Sequence, residues 1–259
     1  MISQAIKVKE FIFNTILKIK NNIKHGTSDY SRCMSLEVSL VCNRKCSYCP
    51  VSIAPKPKQH FVSENVVQAF IEGLRSINYD GQVDFIFYNE PLLHPQLEKI
   101  VRQVSESCPV VRCVLYTNGD RLTFHRAETL IAAGIKKFVV SRHAPFTDEW
   151  DWRLNTLKNL FPKHIVRYRP WYNRGGLIKD LPGANSLSGA TSCTLRENVH
   201  IDINGDVQLC CNDYYRTVFN GNILLSSFKS IWFSNKFASL RADLRNGHFN
   251  LPICKECVA

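Results

Sequence analysis

The stretch SLEVSLVCNRKCSYCP, residues 35–50, joins an alternating segment to three closely spaced cysteines. Its first seven residues alternate polar and apolar side chains, which predicts a β-strand. Cys42, Cys46 and Cys49 follow on a loop at the carboxyl end of that strand, where parallel α/β barrels place their functional residues. Three thiolates can hold three irons of a cubane iron–sulfur cluster, and the run contains no fourth cysteine. The stretch therefore predicts a cluster with one iron left open for another ligand.

Strand and helix patterns alternate from residue 35 onward, which predicts parallel βα units. The further predicted strands are residues 82–88, 110–116, 137–141 and 164–171. The helices predicted between the strands are residues 63–77, 96–107, 121–133 and 148–160. These strands are too few to close the eight-stranded barrel of a TIM fold, so we expect an open, partial TIM-like α/β barrel over residues 35–176.

A second set of cysteines lies in residues 177–259, where the pattern changes. Residues 199–209 alternate on either side of Asn204-Gly205, which predicts a β-hairpin, and residues 231–245 predict a helix. The hairpin and the last residues together supply four thiols, those of Cys193, Cys210, Cys254 and Cys257. Four thiolates saturate an iron–sulfur cluster, so we expect electron transfer there. A zinc site with the same four ligands is the alternative.

Residues 1–34 precede the first predicted strand. Within them, residues 1–25 place isoleucine and phenylalanine along one helical stripe and lysines elsewhere, which predicts a basic amphipathic helix. Such a helix could contact a membrane surface, an acidic partner or a substrate peptide. We prefer the interpretation that it packs across the bottom of the barrel.

The composition is that of a folded protein, with 45% hydrophobic and 21% charged residues. The formal net charge is +11, but the basic excess is spread along the chain and no nucleic-acid-binding motif occurs, so no nucleic-acid partner is expected. The sequence shows neither a signal peptide nor an apolar run long enough to span a membrane. Eleven cysteines without a secretory signal predict metal-bound thiolates in the cytoplasm.

The spacing CxxxCxxC, with Tyr48 directly before the last cysteine, resembles the radical S-adenosylmethionine (SAM) superfamily. The resemblance implies that SAM chelates the open iron of a [4Fe-4S] cluster. It also implies that an external electron donor, such as flavodoxin or ferredoxin, drives cleavage of SAM to a 5′-deoxyadenosyl radical. The spacing from Cys193 through Gly205 to Cys210 resembles the SPASM extension of radical SAM maturases, in the shortened form called twitch. This second resemblance implies one auxiliary [4Fe-4S] cluster, with Cys210 rather than Cys211 as its ligand.

Polar residues at the ends of the predicted strands resemble the SAM-binding elements of the same superfamily. Asn89, Glu90 and Pro91 resemble its Gly-Glu-Pro element, which holds the SAM amino group, with Asn89 in place of the glycine. The other positions that the resemblance assigns to SAM binding are Tyr48, Thr117, Asn118, Ser141, Arg142 and His143. Each of these polar residues could instead cap a helix or complete a loop.

Residues 35–257 also resemble the radical SAM dehydrogenases that oxidise the cyclitol 2-deoxy-scyllo-inosamine. The resemblance implies that Tyr88 and Tyr116 contact the substrate and that Arg174 lies at the reacting hydroxyl. Cys211 and Asn212 stand where those enzymes have an aromatic and an acidic residue, so we expect a different small-molecule substrate. The implied function is oxidation of a secondary alcohol of a cyclitol- or sugar-like molecule in antibiotic biosynthesis. Modification of a ribosomally made peptide and a zinc-binding scaffold without redox chemistry are the alternatives.

Overall fold

The computed structural model describes residues 15–16, 19, 21–25, 27, 29–52, 60–143, 147–168, 190–193 and 197–258. The strands in this part of the chain are β1 Cys33–Leu36, β2 Gln82–Phe85, β3 Arg112–Thr117, β4 Ile135–Ser141, β5 Ile165–Tyr168, β6 Asn198–Ile201, β7 Asp206–Gln208 and β8 Phe219–Asn222. The helices are α1 Glu64–Ser76, α2 Leu97–Ser107, α3 Phe124–Ala133, α4 Asp148–Leu160, α5 Phe228–Trp232, α6 Asn235–Arg245 and α7 Pro252–Val258.

All of these strands belong to one sheet, in the order β5-β4-β3-β2-β1-β6-β7-β8. The strands from β5 to β6 in this order pair in parallel, while β7 and β8 are antiparallel to their neighbours. The order begins at β5 and ends at β8, so the sheet is open. The prediction of an open parallel α/β sheet is confirmed.

Strand β1 lies in the middle of the sheet and pairs on both sides. Leu36 lies opposite Phe85 of β2 on one side and Ile201 of β6 on the other. The hairpin that follows residue 197 therefore continues the sheet of the preceding βα units. The predicted boundary between residues 176 and 177 lies outside the described residues.

The two faces of the sheet differ in polarity. Leu36, Phe85, Leu115 and Phe138 lie opposite one another across β1 to β4 and are fully buried. Because side chains alternate along a strand, the residues next to them point to the other face. That face carries a buried polar row across β2, β1, β6 and β7, formed by Asp84, Ser35, His200 and Gln208.

Capping residues fix several helix boundaries that the sequence predicts. Thr147 accepts a hydrogen bond from the Trp150 amide, and α4 covers the predicted residues 148–160. The single helix predicted over residues 231–245 is wrong, because it is two helices, α5 and α6. The Ser234 side chain accepts a hydrogen bond from the Phe237 amide and starts a new helix there.

The first predicted strand is shorter than expected and begins earlier, since β1 ends at Leu36 rather than at residue 41. Beyond Leu36 the chain bonds to a loop, with the Val62 amide donating to the Val38 carbonyl and the Leu40 amide to that of His60. Strand β8 and helix α7 were not predicted. The sequence of β8, FNGN, contains one apolar residue and gives no alternating pattern.

The described residues of the N-terminal segment, 15–16, 19 and 21–25, are helical. Lys24 forms an ion pair with Asp80, just before β2, and the His25 ring stacks on Tyr30 with centroids 3.8 Å apart. Ile16 and Ile23, two members of the predicted apolar stripe, are 60% and 82% exposed, whereas Asn21 is buried. Asp80 lies at the amino end of β2, so Lys24 connects this helix to the lower edge of the sheet. That the helix packs across the bottom of the sheet stays a prediction. Among the described residues, no helix has the length and apolar character needed to cross a membrane.

Candidate active site

The three cysteines of the first loop lie together after β1. Cys42, Cys46 and Cys49 are all half-buried, and the Cys49 amide donates to the Cys46 carbonyl at 3.0 Å. Burial raises the pKa of Cys42 to about 11, and the nearby Glu90, Cys49 and Cys46 add to the increase. The Arg44 amide, which donates to the Cys42 sulfur at 3.4 Å, opposes it. The three thiols are therefore close enough to interact electrostatically.

This donor set fits a cubane cluster. Three thiols share one loop, and thiolates are the usual ligands of [4Fe-4S] clusters. In the part of the chain that the structure describes, no three Cys, His, Asp or Glu side chains converge on a position for a single metal ion. A cubane binds each thiolate at a different iron, whereas a structural zinc site needs four ligands around one ion.

The cysteine loop is clamped to the end of β3 by an ionic contact that the sequence analysis missed. Arg44 meets Asp120 through two parallel hydrogen bonds, Nε to Oδ2 at 2.8 Å and a terminal nitrogen to Oδ1 at 2.6 Å. Asn43 donates to the same carboxylate at 2.7 Å. A bidentate arginine–carboxylate pair fixes both distance and orientation. The basic residue two positions after Cys42 and the acidic residue directly after Asn118-Gly119 were the available signal.

Glu90 joins the ends of β1, β2 and β3. Its carboxylate is buried and accepts from the Leu92 amide at 3.1 Å, the Thr117 hydroxyl at 2.6 Å and the Asn118 amide at 2.7 Å. Its own amide donates to the Val41 carbonyl at 2.7 Å, directly before the cysteine loop. Burial raises the pKa of Glu90 to about 7, although these three donors oppose the increase.

The neighbours of Glu90 are held by further hydrogen bonds. The Asn89 side-chain amide donates to the Ser39 hydroxyl at 3.4 Å, and Pro91 begins a short 3-10 helix, Pro91–Leu93. The Asn118 side-chain amide donates to Asn43 at 2.9 Å, and the Trp150 indole donates to the Asn118 carbonyl at 3.2 Å. The predicted residues at the ends of β2 and β3 thus lie in one network with the cysteine loop.

The residues at the end of β4 contact the cysteine loop and α4. His143 is hydrogen-bonded through Nδ1 to the Tyr48 hydroxyl, and their rings stack with centroids 5.8 Å apart. The Arg142 guanidinium pairs with Asp151 of α4, with Nε to Oδ1 at 3.0 Å. Ser141 is the last residue of β4. Predicted SAM residues from three strand ends therefore surround the first cysteine loop.

Two of the three residues predicted to contact the substrate lie in the described part of the chain. The Tyr88 hydroxyl donates to the Cys211 carbonyl, and its ring makes an edge contact with Tyr214 at a centroid distance of 4.7 Å. Tyr116 lies on β3, opposite Val139 of β4. Arg174, the third residue, lies outside the described residues.

Tyr214 is a residue that the sequence analysis missed. Burial raises its pKa, and Cys49 adds to the increase, so its phenol lies within electrostatic reach of the first cysteine loop. Its ring contacts Tyr88, which is bonded to Cys211. Tyr214 therefore lies between the two sets of cysteines.

The second set of cysteines also comes together. Burial raises the pKa of Cys254 to about 11, and Cys193 and Cys257 add to the increase. The Asn212 amide donates to the sulfur of Cys210 at 3.3 Å, and its side chain donates to the sulfur of Cys257 at 4.0 Å. A hydrogen bond with Cys211 is the main cause that raises the pKa of Cys210, and burial raises it further. Cys211 thus lies beside the predicted four ligands, and the choice of Cys210 as the ligand stays a prediction.

Comparison with protein families decides the class of the protein. The family model described as the radical SAM superfamily matches residues 36–169, which is more than half of the chain. The chain belongs to the radical SAM superfamily. A second model, described as an iron–sulfur cluster-binding domain of the SPASM type, matches residues 193–258. The predicted class, an oxidoreductase enzyme with SAM and a [4Fe-4S] cluster, is confirmed.

Individual radical SAM relatives cover most of the chain. The S-adenosyl-L-methionine-dependent 2-deoxy-scyllo-inosamine dehydrogenase of Niallia circulans is 32% identical over 230 residues, which are 86% of this chain and 91% of that enzyme. The crystal structure of BtrN in complex with AdoMet and 2-DOIA has a TM-score of 0.80 at 30% identity and covers 88% of this chain and 92% of BtrN. Tagged anSMEcpe with bound AdoMet has a TM-score of 0.57 at 16% identity, covering 80% of this chain and 78% of that one, and shows a similar fold.

Proposed function

We propose that this radical SAM enzyme oxidises a secondary alcohol of a cyclitol- or sugar-like small molecule. The observation that carries the proposal is the 32% identity to the 2-deoxy-scyllo-inosamine dehydrogenase over 91% of that enzyme. The same likeness holds in three dimensions, at a TM-score of 0.80. A match of this extent covers far more than the short cysteine loop common to radical SAM proteins.

The proposal includes two [4Fe-4S] clusters and an external electron donor such as flavodoxin or ferredoxin. Cys42, Cys46 and Cys49 would hold the first cluster, and the four predicted cysteines of the second set would hold the other. When bound, SAM and the first cluster would supply hydrogen-atom abstraction from the carbinol carbon, and the second cluster would accept the remaining electron. The mutual electrostatic effects among Cys193, Cys254 and Cys257 support the second site.

The residues that would bind SAM have different tasks in this proposal. The Glu90 carboxylate already accepts three hydrogen bonds from the chain, so we assign it the task of shaping the loop that presents the Asn89 backbone to SAM. The Arg142 guanidinium is oriented by Asp151, and His143 by Tyr48. These contacts fix side-chain positions before the cofactor binds, which lowers the entropic cost of binding.

The residues between the two cysteine sets would hold the substrate. Tyr88 and Tyr214 pack edge to face there, and such rings exclude water from a reacting centre. Arg174 would stabilise the developing alkoxide, because its pKa is too high for it to act as a base. Asn212, which stands where the dehydrogenases have an acidic residue, bonds to cysteine sulfurs, and this supports a substrate different from theirs.

The test is reductive SAM cleavage by the anaerobically reconstituted protein, with a panel of aminocyclitols and sugars that includes 2-deoxy-scyllo-inosamine. We expect 5′-deoxyadenosine together with an oxidised product that is two hydrogens lighter. The matched control is a variant with Cys42, Cys46 and Cys49 replaced by alanine, which should form no 5′-deoxyadenosine. Iron and sulfide analysis should give about eight irons per chain for two clusters.

Two outcomes would contradict the proposal. A reconstituted, reduced protein that forms no 5′-deoxyadenosine with any member of the panel would argue against alcohol oxidation. Modification of a short peptide, without oxidation of any cyclitol or sugar, would favour the maturase alternative instead.

A further inference from the structure

Two buried carboxylates lie side by side at the carboxyl ends of β1 and β6. Glu37 directly follows β1 and Asp202 directly follows β6, and the last residues of these two parallel strands lie opposite each other. The two side chains are 1% and 0% exposed. Burial raises the pKa of both, and the Asp202 charge raises the pKa of Glu37 further. Such a pair requires a cation.

Arg216 supplies that cation to both carboxylates at once. One terminal nitrogen lies 3.0 Å from Oε2 of Glu37, and the other lies 3.0 Å from Oδ2 of Asp202. A planar guanidinium can span two carboxylates in this way, whereas a lysine ammonium is a point charge. The Arg216 backbone has φ of +56°, an uncommon conformation for a residue other than glycine.

Arg216 belongs to residues 210–218, which we call the auxiliary loop. The loop carries Cys210 and Tyr214, and its own bonds brace it. The Asp213 carboxylate accepts from the amides of Thr217 and Val218, each at 2.9 Å, and the Arg216 amide donates to the Asp213 carbonyl at 3.1 Å. A displacement of Arg216 is therefore passed to the rest of the auxiliary loop.

The auxiliary loop also contacts residues at the carboxyl ends of the parallel strands. Its Cys211 carbonyl accepts from the Tyr88 hydroxyl, and the Tyr88 amide donates to Glu37 at 3.3 Å. Glu37 thus contacts both Tyr88 and Arg216, and these contacts converge on one buried carboxylate. An ionic bridge at this point fixes the auxiliary loop relative to β1 and the first cysteine loop that follows it.

We propose that Arg216 is a positioning residue, which holds the auxiliary loop at the carboxyl ends of the parallel strands by bridging Glu37 and Asp202. It sets the position of Cys210 and Tyr214 relative to the first cysteine loop. Its effect on catalysis rests on the proposed dehydrogenase function, because the auxiliary loop must stay close to the substrate for the second electron to reach the auxiliary cluster.

The first test is hydrogen–deuterium exchange on the anaerobically reconstituted holoenzyme. In R216M we expect the amides of Thr217 and Val218 to exchange at least about tenfold faster, while the amides of β1 and β6 stay within about twofold of wild type. The matched control is R126M, because Arg126 is also 29% exposed and pairs with Glu98 at 2.8 Å, outside the site. Unchanged exchange in the auxiliary loop, or equal acceleration in β1 and β6, would overturn the proposal.

A second variant covers the case in which R216M fails to fold because two buried charges are left unpaired. The triple variant E37Q/D202N/R216M removes all three charges, which is tolerated far better than removal of one partner. We expect it to fold and bind iron like wild type, and its auxiliary loop to keep the tenfold faster exchange. Wild-type protection of the auxiliary loop in the triple variant would show that the bridge does not hold it.

The catalytic readout is the ratio of oxidised product to 5′-deoxyadenosine, measured with 2-deoxy-scyllo-inosamine or another panel member that the wild type oxidises. We expect this ratio to fall at least about fivefold in R216M at unchanged iron content, because the radical forms but the second electron is not delivered. An unchanged ratio would overturn the catalytic part of the proposal. If the wild type forms no oxidised product, the dehydrogenase function fails, and the exchange experiment still decides the positioning role.

Discussion

Asp120 is one of the residues outside the first cysteine loop that hold it in place. Its carboxylate takes two hydrogen bonds from Arg44 and one from Asn43, and its side chain is 24% exposed. Removing its charge weakens the clamp on a loop whose three thiols must stay in place to bind a cluster.

We therefore expect Asp120→Asn to lower both the iron retained at the first cluster and the rate of 5′-deoxyadenosine formation, the latter by about tenfold. Glu98→Gln is the matched control, since Glu98 also pairs with an arginine and is 26% exposed. Iron analysis after gel filtration and a SAM cleavage assay would measure both effects. Equal iron and activity in the two variants would contradict the role of the clamp.

Asp84, in the buried polar row of the sheet, gives a prediction about pH. Burial raises its pKa from 3.8 to about 6, while hydrogen bonds from Cys33 and Gln82 oppose the increase. The folded protein then binds a proton that the unfolded chain has lost, so the free energy of unfolding falls as pH rises through this window. Asp84→Asn lacks this titration. Its melting temperature should rise relative to wild type between about pH 3.8 and about pH 6, by about 2–4 °C for each 1 kcal/mol.

Differential scanning fluorimetry under anaerobic conditions at several pH values would measure this difference. Glu98→Gln serves as the control, because it also replaces a carboxylate by an amide, on α2 rather than in the sheet. A flat difference for Asp84→Asn would show that Asp84 does not titrate as expected.

At the level of single residues, sequence spacing identified the cysteines but not the residues that hold the cysteine loops in place. Three thiols within eight residues are a local pattern, and such patterns can be found in one sequence. The contact between Arg44 and Asp120 joins residues 76 positions apart, and it exists only because the ends of β1 and β3 share one edge of the sheet. Tyr214 and Arg216 were missed for the same reason.

Among the secondary structure elements, some bounds were predicted correctly and others were not. Helix α4 was predicted with its bounds, because Thr147 caps it and three acidic residues occupy its first turn. Helices α5 and α6 were merged in the prediction, because Ser234 was treated as an ordinary helical residue although it caps a second helix. Strand β8 has no alternation to detect, and it forms because β7 offers it an edge.

A glycine after α6 lies against the segment that leads to Cys193 of the second cysteine set. Gly247 has φ of +77°, and a Cβ atom there would lie 2.7 Å from the Thr191 carbonyl oxygen, two residues before Cys193. We expect Gly247→Ala to displace this segment and to lower the iron content from about eight to about four per chain, if the second cluster exists as proposed.

The control for this prediction is Gly134→Ala, at the end of α3. Gly134 has φ of +125°, and its added Cβ would lie 2.4 Å from the Ser105 side chain. Both variants should melt at a lower temperature, but only Gly247→Ala should lose iron selectively. Equal iron loss in the two variants would show a general effect of destabilisation.

The whole molecule is organised around a strand that pairs on both sides. Residues Met34 and Leu36 of β1 are fully buried, and β6 covers one edge of this strand. We predict that a chain ending at residue 189 exposes this edge and aggregates, because an uncovered apolar edge strand pairs with other chains. Expression of residues 1–189 beside the full chain, followed by size-exclusion chromatography, would test this. A monomeric truncated chain that still binds the first cluster would show that residues 35–176 fold independently.

The overall architecture was only partly accessible to sequence reasoning. Alternating patterns identified five parallel strands and the open sheet, because each βα unit is a local feature. The pairing of β6 with β1 was not accessible, since the four residues of β6, NVHI, fit many positions in a sheet. Which edge a strand joins is decided by the packing of the whole chain.

The central position of β1 also has a consequence for biosynthesis of the protein. Leu36 leaves the ribosome about 165 residues before its neighbour Ile201, so the strand that precedes the first three cysteines waits for most of the polypeptide to be translated. Until then β1 lacks its neighbour β6, and the three thiols can be oxidised or bind a metal other than iron. Insertion of iron and sulfide should therefore come late, after β6 has paired with β1.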